Sequence, residues 1–167
     1  MRTNSFSKEI LNAIPRNPRT GIHTPDMRIA NNGETYLQRT IIAAGASGSV
    51  HKVTRESDGA LYAAKTAHYR ASDNVDQVRA RYERLKEEYD TMSDVHHANV
   101  LKAIVLIPGY GEEPDWLIME YIKHDLSTAE LQDDDRLRAL LDIASGLEYI
   151  HKKGITHRDL NPKNILV

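Results

Sequence analysis

The chain of 167 residues contains no cysteine, which removes any disulfide framework and any thiolate metal site and suits a reducing compartment. It also carries little net charge. Lysine and arginine number 22 against 24 aspartates and glutamates, a formal -2, and that balance gives no electrostatic case for nucleic acid or an acidic membrane surface. Long apolar runs are missing too. The best, at 103–107, is strand-sized, so no membrane segment is expected. The N-terminus lacks the charged-then-apolar layout of a secretory signal, and Arg2 excludes a myristoylated glycine. A cytoplasmic or nuclear setting is the expectation. What is present is ordinary for a folded protein, 40% hydrophobic and 28% charged residues, and the length suits one domain with a core.

Residues 1–34 differ from the rest. Pro15, Pro18, Gly21, Pro25 and Gly33 punctuate them, and basic residues outnumber acidic ones. They read as a flexible leader with at most a short helix around 6–14, and Thr24-Pro25 reads as a turn. From Tyr36 the pattern becomes strand-like. Segments 36–43 and 49–54 flank the small-residue turn Ala44-Gly45-Ala46-Ser47-Gly48, and Asp58-Gly59 marks a second hairpin turn before 60–67. Over 75–95, Val75, Val78, Tyr82, Leu85, Tyr89, Met92 and Val95 recur at spacings of three and four, an apolar stripe on a helix that Ser72 and Asp73 are placed to cap. Two strand candidates follow at 101–107 and 116–120. Asp133–Asp135 then opens a second helix, whose apolar face comprises Leu137, Leu140, Leu141, Ala144, Leu147 and Ile150 and whose C-terminal cap is Gly154. The closing Ile165-Leu166-Val167 reads as the start of another strand.

Four features carry chemistry. Glycines at 45 and 48, between two strands, let a backbone approach polyphosphate oxygens, although alone the pattern reads as a plain hairpin turn. Lys65 follows Ala63-Ala64, small residues that leave room for something flat; alone it reads as a strand-edge charge. Glu88 is sharper. At about 100° per residue it falls inside the apolar stripe, where an unpaired carboxylate is costly to desolvate. Arg84, one turn back, is the local partner, worth about 0.3–0.5 kcal/mol, and Lys65 is the partner across a strand–helix interface. The buried position favours Lys65. Last comes His157-Arg158-Asp159-Leu160-Asn161-Pro162-Lys163-Asn164 between apolar flanks. A carboxylate such as Asp159 can orient a hydroxyl and accept its proton, and the amide oxygen of Asn164 can help to hold a hard cation such as magnesium.

Together these segments resemble the protein kinase family from about residue 36 to the end. Residues 43–50 resemble its glycine-rich loop, Ala63-Ala64-Lys65 its lysine strand, and Glu88 the helix glutamate that pairs with that lysine. His97-Ala98-Asn99-Val100 resembles the motif after that helix, Leu117-Ile118-Met119-Glu120-Tyr121 the gatekeeper and hinge, and 157–164 the catalytic loop. The resemblance implies an α+β fold: residues 35–121 as a small lobe with a five-stranded antiparallel sheet and one helix, and 122–167 as the hinge and the beginning of a mainly α lobe. It implies ATP and Mg2+ as cofactors and a protein substrate; oligomeric state is left open. Gly45 and Gly48 would cover the phosphates, Val50 and Ala63 would sandwich the adenine, and Lys65 would hold the α and β phosphates. Met119 would be the gatekeeper, backbone groups of Glu120 and Ile122 would bind adenine, and Asp125 would lie near the ribose. Asp159 would be the catalytic base, Asn164 a magnesium ligand and His157 a packing residue.

The chain departs from the family pattern at several positions. Ala43 replaces the first loop glycine and Ser47 the aromatic at the loop tip. Asn161 stands where serine/threonine kinases carry lysine, and Lys163 where many tyrosine kinases carry arginine, so the loop looks closest to tyrosine-kinase-like members, with the acceptor hydroxyl, Ser/Thr or Tyr, left open. The sequence stops before the Asp-Phe-Gly segment, and a truncated, nearly inactive fragment is expected, with part of the second helix's apolar face left exposed. The competing readings are a pseudokinase-like nucleotide-binding or scaffolding module and a small-molecule kinase of the aminoglycoside type. Lys65, Glu88, Asp159 and Asn164 weigh against the first, Arg158 and the Glu88 helix against the second.

Overall fold

The computed structural model describes residues 26–44, 48–67, 74–109 and 114–167, apart from the Val78 side chain. The helix expected near 6–14, Thr24-Pro25, Gly45 with the loop tip at Ser47, and the capping pair Ser72 and Asp73 lie outside these residues.

Among the described residues, six strands form one antiparallel sheet: β1 (Met27–Ile29), β2 (Thr35–Ala44), β3 (Gly48–Arg55), β4 (Leu61–Ala67), β5 (Ala103–Ile107) and β6 (Trp116–Glu120), in the spatial order β1-β2-β3-β4-β6-β5. The expected α+β arrangement is present, but the sheet has one strand more than the five anticipated. The addition, β1, comes from the stretch read as a leader. It pairs with β2 from Met27 opposite Leu37 to Ile29 opposite Thr35. Arg28 on this strand is buried and donates from Nη2 to the Pro114 carbonyl at 2.9 Å.

Strand alternation divides the sheet into two faces. On one, Tyr36, Val53, Ala64, Trp116 and Ile118 form a core with Ala30 and Ile107. Ser49, His51 and Thr66 are buried beside them, with Ser49 Oγ 2.7 Å from His51 Nε2 and 3.0 Å from Thr66 Oγ1, so the serine hydroxyl links the other two side chains. The other face carries Val50, Ala63, Lys65, Leu117 and Met119, because Val50 pairs with Lys65, Lys65 with Leu117 and Ala63 with Met119.

Helix α1 (Val75–Ser93) lies on that second face. Leu85 enters a cluster with Ala63, Ala103, Leu117 and Met119, flanked by Tyr89 and Met92, as the apolar spacing requires. Asn74 caps the helix: its side chain accepts from the Gln77 N–H and the Gln77 side chain accepts from the Asn74 N–H, each at 2.9 Å.

The loop after α1 is fastened to helix α2 (Asp133–Lys152). The Tyr149 hydroxyl accepts from His96 N–H at 3.1 Å, the His97 and Tyr149 rings stack 4.9 Å apart, and Lys153 Nζ donates to the Asp94 carbonyl at 3.0 Å. Gly146 is buried against this loop, and a Cβ there would stand 2.7 Å from the Asn99 oxygen. Of the apolar face expected for α2, Ile150 is buried, whereas Leu137, Leu140 and Leu141 are 61%, 62% and 63% exposed. Among the described residues no helix is long and apolar enough to cross a membrane.

Candidate active site

Lys65 stands on β4 with its side chain under α1. Its Nζ donates to both Glu88 carboxylate oxygens, each at 2.7 Å. Of the two cations weighed for Glu88, Lys65 is the one in contact. The helical phase that placed Glu88 within an apolar stripe delivers it to a strand lysine 23 residues earlier in the chain. Both side chains are about one-third exposed, so the pair sits at the mouth of the face rather than inside the core.

Val50, Ala63, Lys65 and Met119 therefore share one sheet face, with Ala63 and Met119 buried. Gly48, at the start of β3, is buried against β4: a Cβ there would lie 2.2 Å from the Thr66 carbonyl oxygen. The absence of a side chain at residue 48 is thus required by strand packing in its own right. Gly45 lies outside the described residues. Glu120, at the end of β6, exchanges bonds with Lys102: its N–H donates to the Lys102 carbonyl at 3.1 Å, and its Oε1 accepts from the Lys102 N–H at 2.6 Å. Ile122, two residues on, is exposed.

Beyond β6, Asp125 Oδ1 accepts from the Ser127 N–H at 2.8 Å, the Thr128 N–H at 3.1 Å and the Ser127 hydroxyl. These bonds, the Ser127 hydroxyl foremost, hold its carboxyl below the usual range. Residues 124–126 also form a short antiparallel ribbon with the chain end. Asp125 bridges to Leu166, the Leu126 N–H donates to the Ile165 carbonyl at 2.7 Å, and the Val167 N–H donates to the His124 carbonyl at 2.9 Å. The strand expected at 165–167 is this ribbon.

The loop between α2 and the ribbon is organised around Asp159. Asn164 Nδ2 donates to the Asp159 carbonyl at 2.8 Å and to its Oδ2 at 2.9 Å. Asn161 Nδ2 donates to the same carbonyl and to Oδ1, both at 3.1 Å. The Asn161 oxygen meanwhile accepts from the Lys163 N–H at 3.0 Å and caps the single 3-10 turn Pro162–Asn164. Both carboxylate oxygens of Asp159 are thus oriented by neutral amides. Arg158 adopts a left-handed backbone, φ 63°, a conformation that costs a residue with a side chain on the order of 1–3 kcal/mol and concentrates at functional sites. His157 Nδ1 accepts from the Asp159 N–H at 3.3 Å. The sequence reading overlooked Asn161 as a support for Asp159, although its two-residue spacing and its place before proline are the signature of a side-chain cap.

Comparison with known proteins shows the family. The family model described as "Protein kinase domain" matches residues 36–167, and the chain belongs to the protein kinase family. It is 28% identical over 159 residues to "Serine/threonine-protein kinase TOS3" of Saccharomyces cerevisiae, covering 84% of this chain and 27% of that protein. To rat "Ribosomal protein S6 kinase alpha-1" it is 32% identical over 136 residues, 76% of this chain and 18% of the relative. To "Cell division control protein 2 homolog 3" of Trypanosoma brucei brucei it is 27% identical over 141 residues, 80% of this chain and 43% of the relative. The chain thus spans less than half the length of these relatives. Serine/threonine kinases are prominent among the similar proteins, and the tyrosine-kinase-like affinity suggested by Asn161 and Lys163 finds no support there.

Proposed function

We propose that this chain is the nucleotide-binding and catalytic-loop portion of an ATP-dependent protein kinase that phosphorylates a protein hydroxyl. The observation that supports it most is the Lys65–Glu88 contact, in which one ammonium meets both oxygens of one carboxylate across a strand–helix interface. Such a pair holds a lysine at fixed height above a shared sheet face, ready for phosphate oxygens. ATP with Mg2+ would supply the transferable phosphoryl group and the cation that neutralises developing charge.

The residues present suit that role. Val50 and Ala63 line one sheet face and offer an apolar roof for adenine, Met119 closes its back, and backbone groups of Glu120 and Ile122 would bind its edge. Gly45 and Gly48 would cover the phosphates that Lys65 holds, and Asp125 would face the ribose. Asn164 is tied through its amide nitrogen, so its oxygen is the end offered to magnesium. Asp159, held at both oxygens, would orient the acceptor hydroxyl and take its proton. Among the described residues no group of three or more His, Cys, Asp or Glu side chains is placed to hold a metal, so the cation would lean on Asn164 and the nucleotide. We accordingly propose that these 167 residues alone carry little phosphotransfer. The proposal includes a small lobe at 35–121, a hinge and opening large lobe at 122–167, and an intracellular setting. Serine or threonine is the acceptor to test first, following the names of the relatives.

The test is phosphotransfer by the full-length protein and its Asp159→Asn variant. Activity should fall by about 100-fold or more while MgATP binding persists. Full activity in the variant, or a wild-type protein that binds no nucleotide, would overturn the proposal.

A further inference from the structure

Lys52 has no role in the site as described, yet it lies on the same sheet face. It is opposite Ala63 on β4, which is in turn opposite Met119 on β6. One row across three strands thus runs Lys52, Ala63, Met119. Ala63 has almost no side chain to obstruct the lysine stem, and the Lys52 ammonium reaches past it to the hinge. There Nζ stands 4.9 Å from the centroid of the Tyr121 ring, inside the range for a cation–π contact. Tyr121 lies between Glu120 and Ile122, and both Lys52 and Tyr121 are half-buried.

The contact joins parts of the chain that bear on the height of the proposed adenine slot. Strand β3 carries Val50, which with Ala63 would roof it, and the hinge would supply the backbone groups that grip its edge. Only β4 separates β3 from β6 in the sheet, so a side-chain tie across β4 limits how far the roof can lift from the hinge. Preorganised slots lose less on binding than ones that must close.

We infer that Lys52 is a positioning residue for the nucleotide, acting through Tyr121 to fix the roof strand against the hinge. The inference rests on the kinase reading above. It assigns the pair an effect on the base and none on the phosphates, which lie toward Lys65, one row along.

The experiment uses the full-length protein, with fluorescent mant-ATP and Mg2+ as probe. Lys52→Met should weaken binding by about twofold to fivefold, the value of a partly exposed cation–π contact. Lys52→Arg, which keeps the cation, should restore affinity, and so should Tyr121→Phe, which keeps the ring face. Lys52→Met combined with Tyr121→Leu should bind no worse than the weaker single variant. Inorganic tripolyphosphate, which has no base, should compete equally with wild type and Lys52→Met. Wild-type affinity in Lys52→Met, or losses that multiply in the double variant, would overturn the inference while leaving the kinase reading intact. A wild-type protein that fails to bind mant-ATP would overturn the kinase reading and this inference with it. In that case wild type, Lys52→Met, Tyr121→Leu and the double variant compared by thermal unfolding still reveal whether the contact couples strand to hinge.

Discussion

Replacing Gly48 with alanine separates two reasons for a glycine at the end of the loop. A Cβ built there would stand 2.2 Å from the Thr66 carbonyl oxygen and 3.2 Å from its carbon, both main-chain atoms that no rotamer change can move aside. Relief requires β3 and β4 to part by roughly an ångström at the register where Gly48 faces Ala67 and Ser49 faces Thr66. That displacement strains the adjoining ladder bonds and the 3.0 Å contact between the Ser49 and Thr66 hydroxyls. Overpacking of this kind costs about 1–3 kcal/mol, offset by about 0.4–1 kcal/mol from the reduced freedom of the unfolded chain. A net loss of about 1–2 kcal/mol lowers the unfolding midpoint by about 2–8 °C at this chain size. The assay is thermal unfolding without nucleotide, followed by circular dichroism. An unchanged midpoint in Gly48→Ala, with the defect confined to nucleotide affinity, would show that the residue serves the ligand alone and that the packing argument is wrong.

Three further outcomes are expected. Glu88→Gln should lower stability by about 1 kcal/mol in urea titration, a value discounted because both side chains are about one-third exposed; Lys65→Met on top of it should cost little more, and fully additive losses would deny the coupling. Asp58 is held by the Arg55 guanidinium at a pKa of about 2, below its ordinary 3.8. A depressed carboxyl stabilises the fold above the unfolded value and loses that effect as pH falls through the folded one. Asp58→Asn should therefore unfold more readily than wild type at pH 6, with the gap closing between about pH 4 and pH 2; a gap independent of pH would exclude the ion pair as its source. Gly146→Ala should push α2 off the Asn99 carbonyl and speed hydrogen exchange at the His96 amide, which bonds to Tyr149, without affecting the β3–β4 amides. Equal acceleration at both places would point to global loosening instead.

The sequence made the Lys65–Glu88 pair legible because helical periodicity is strict: a carboxylate amid Leu85, Tyr89 and Met92 has few places to go but a cation on the covering sheet. Strand β1 was hidden for the opposite reason. It is three residues long among prolines and glycines, too short for alternation to register, and what holds it is distant: β2 on one side and the Pro114 carbonyl bonded by Arg28 on the other. The cap of α1 was legible and misread. Asn74 and Gln77 have the spacing of a capping box, but Ser72 and Asp73 just before them are equally good cap residues by type. The Lys52–Tyr121 contact lay beyond any local pattern, since it depends on the neighbours of β4 on both sides.

The placement of Asp159 follows from backbone bonds at both ends of its loop. Upstream, α2 closes with the Gly154 N–H donating to His151 and the Ile155 N–H to Ile150, each at 2.9 Å. Downstream, residues 165–167 are zipped to 124–126, which follow closely on β6. The loop thus hangs between a helix fastened to the α1–β5 loop and a ribbon that follows β6, and both routes lead back to the sheet that carries Lys65. Side chains inside the loop, Asn161 and Asn164 among them, orient the carboxylate and bond the Asp159 carbonyl within the loop itself. Loss of Asn161 should therefore disorder Asp159 while the ribbon amides of Leu126 and Val167 keep their hydrogen-exchange protection. Loss of protection there would mean that the loop's own side chains, and not its two anchors, set its position.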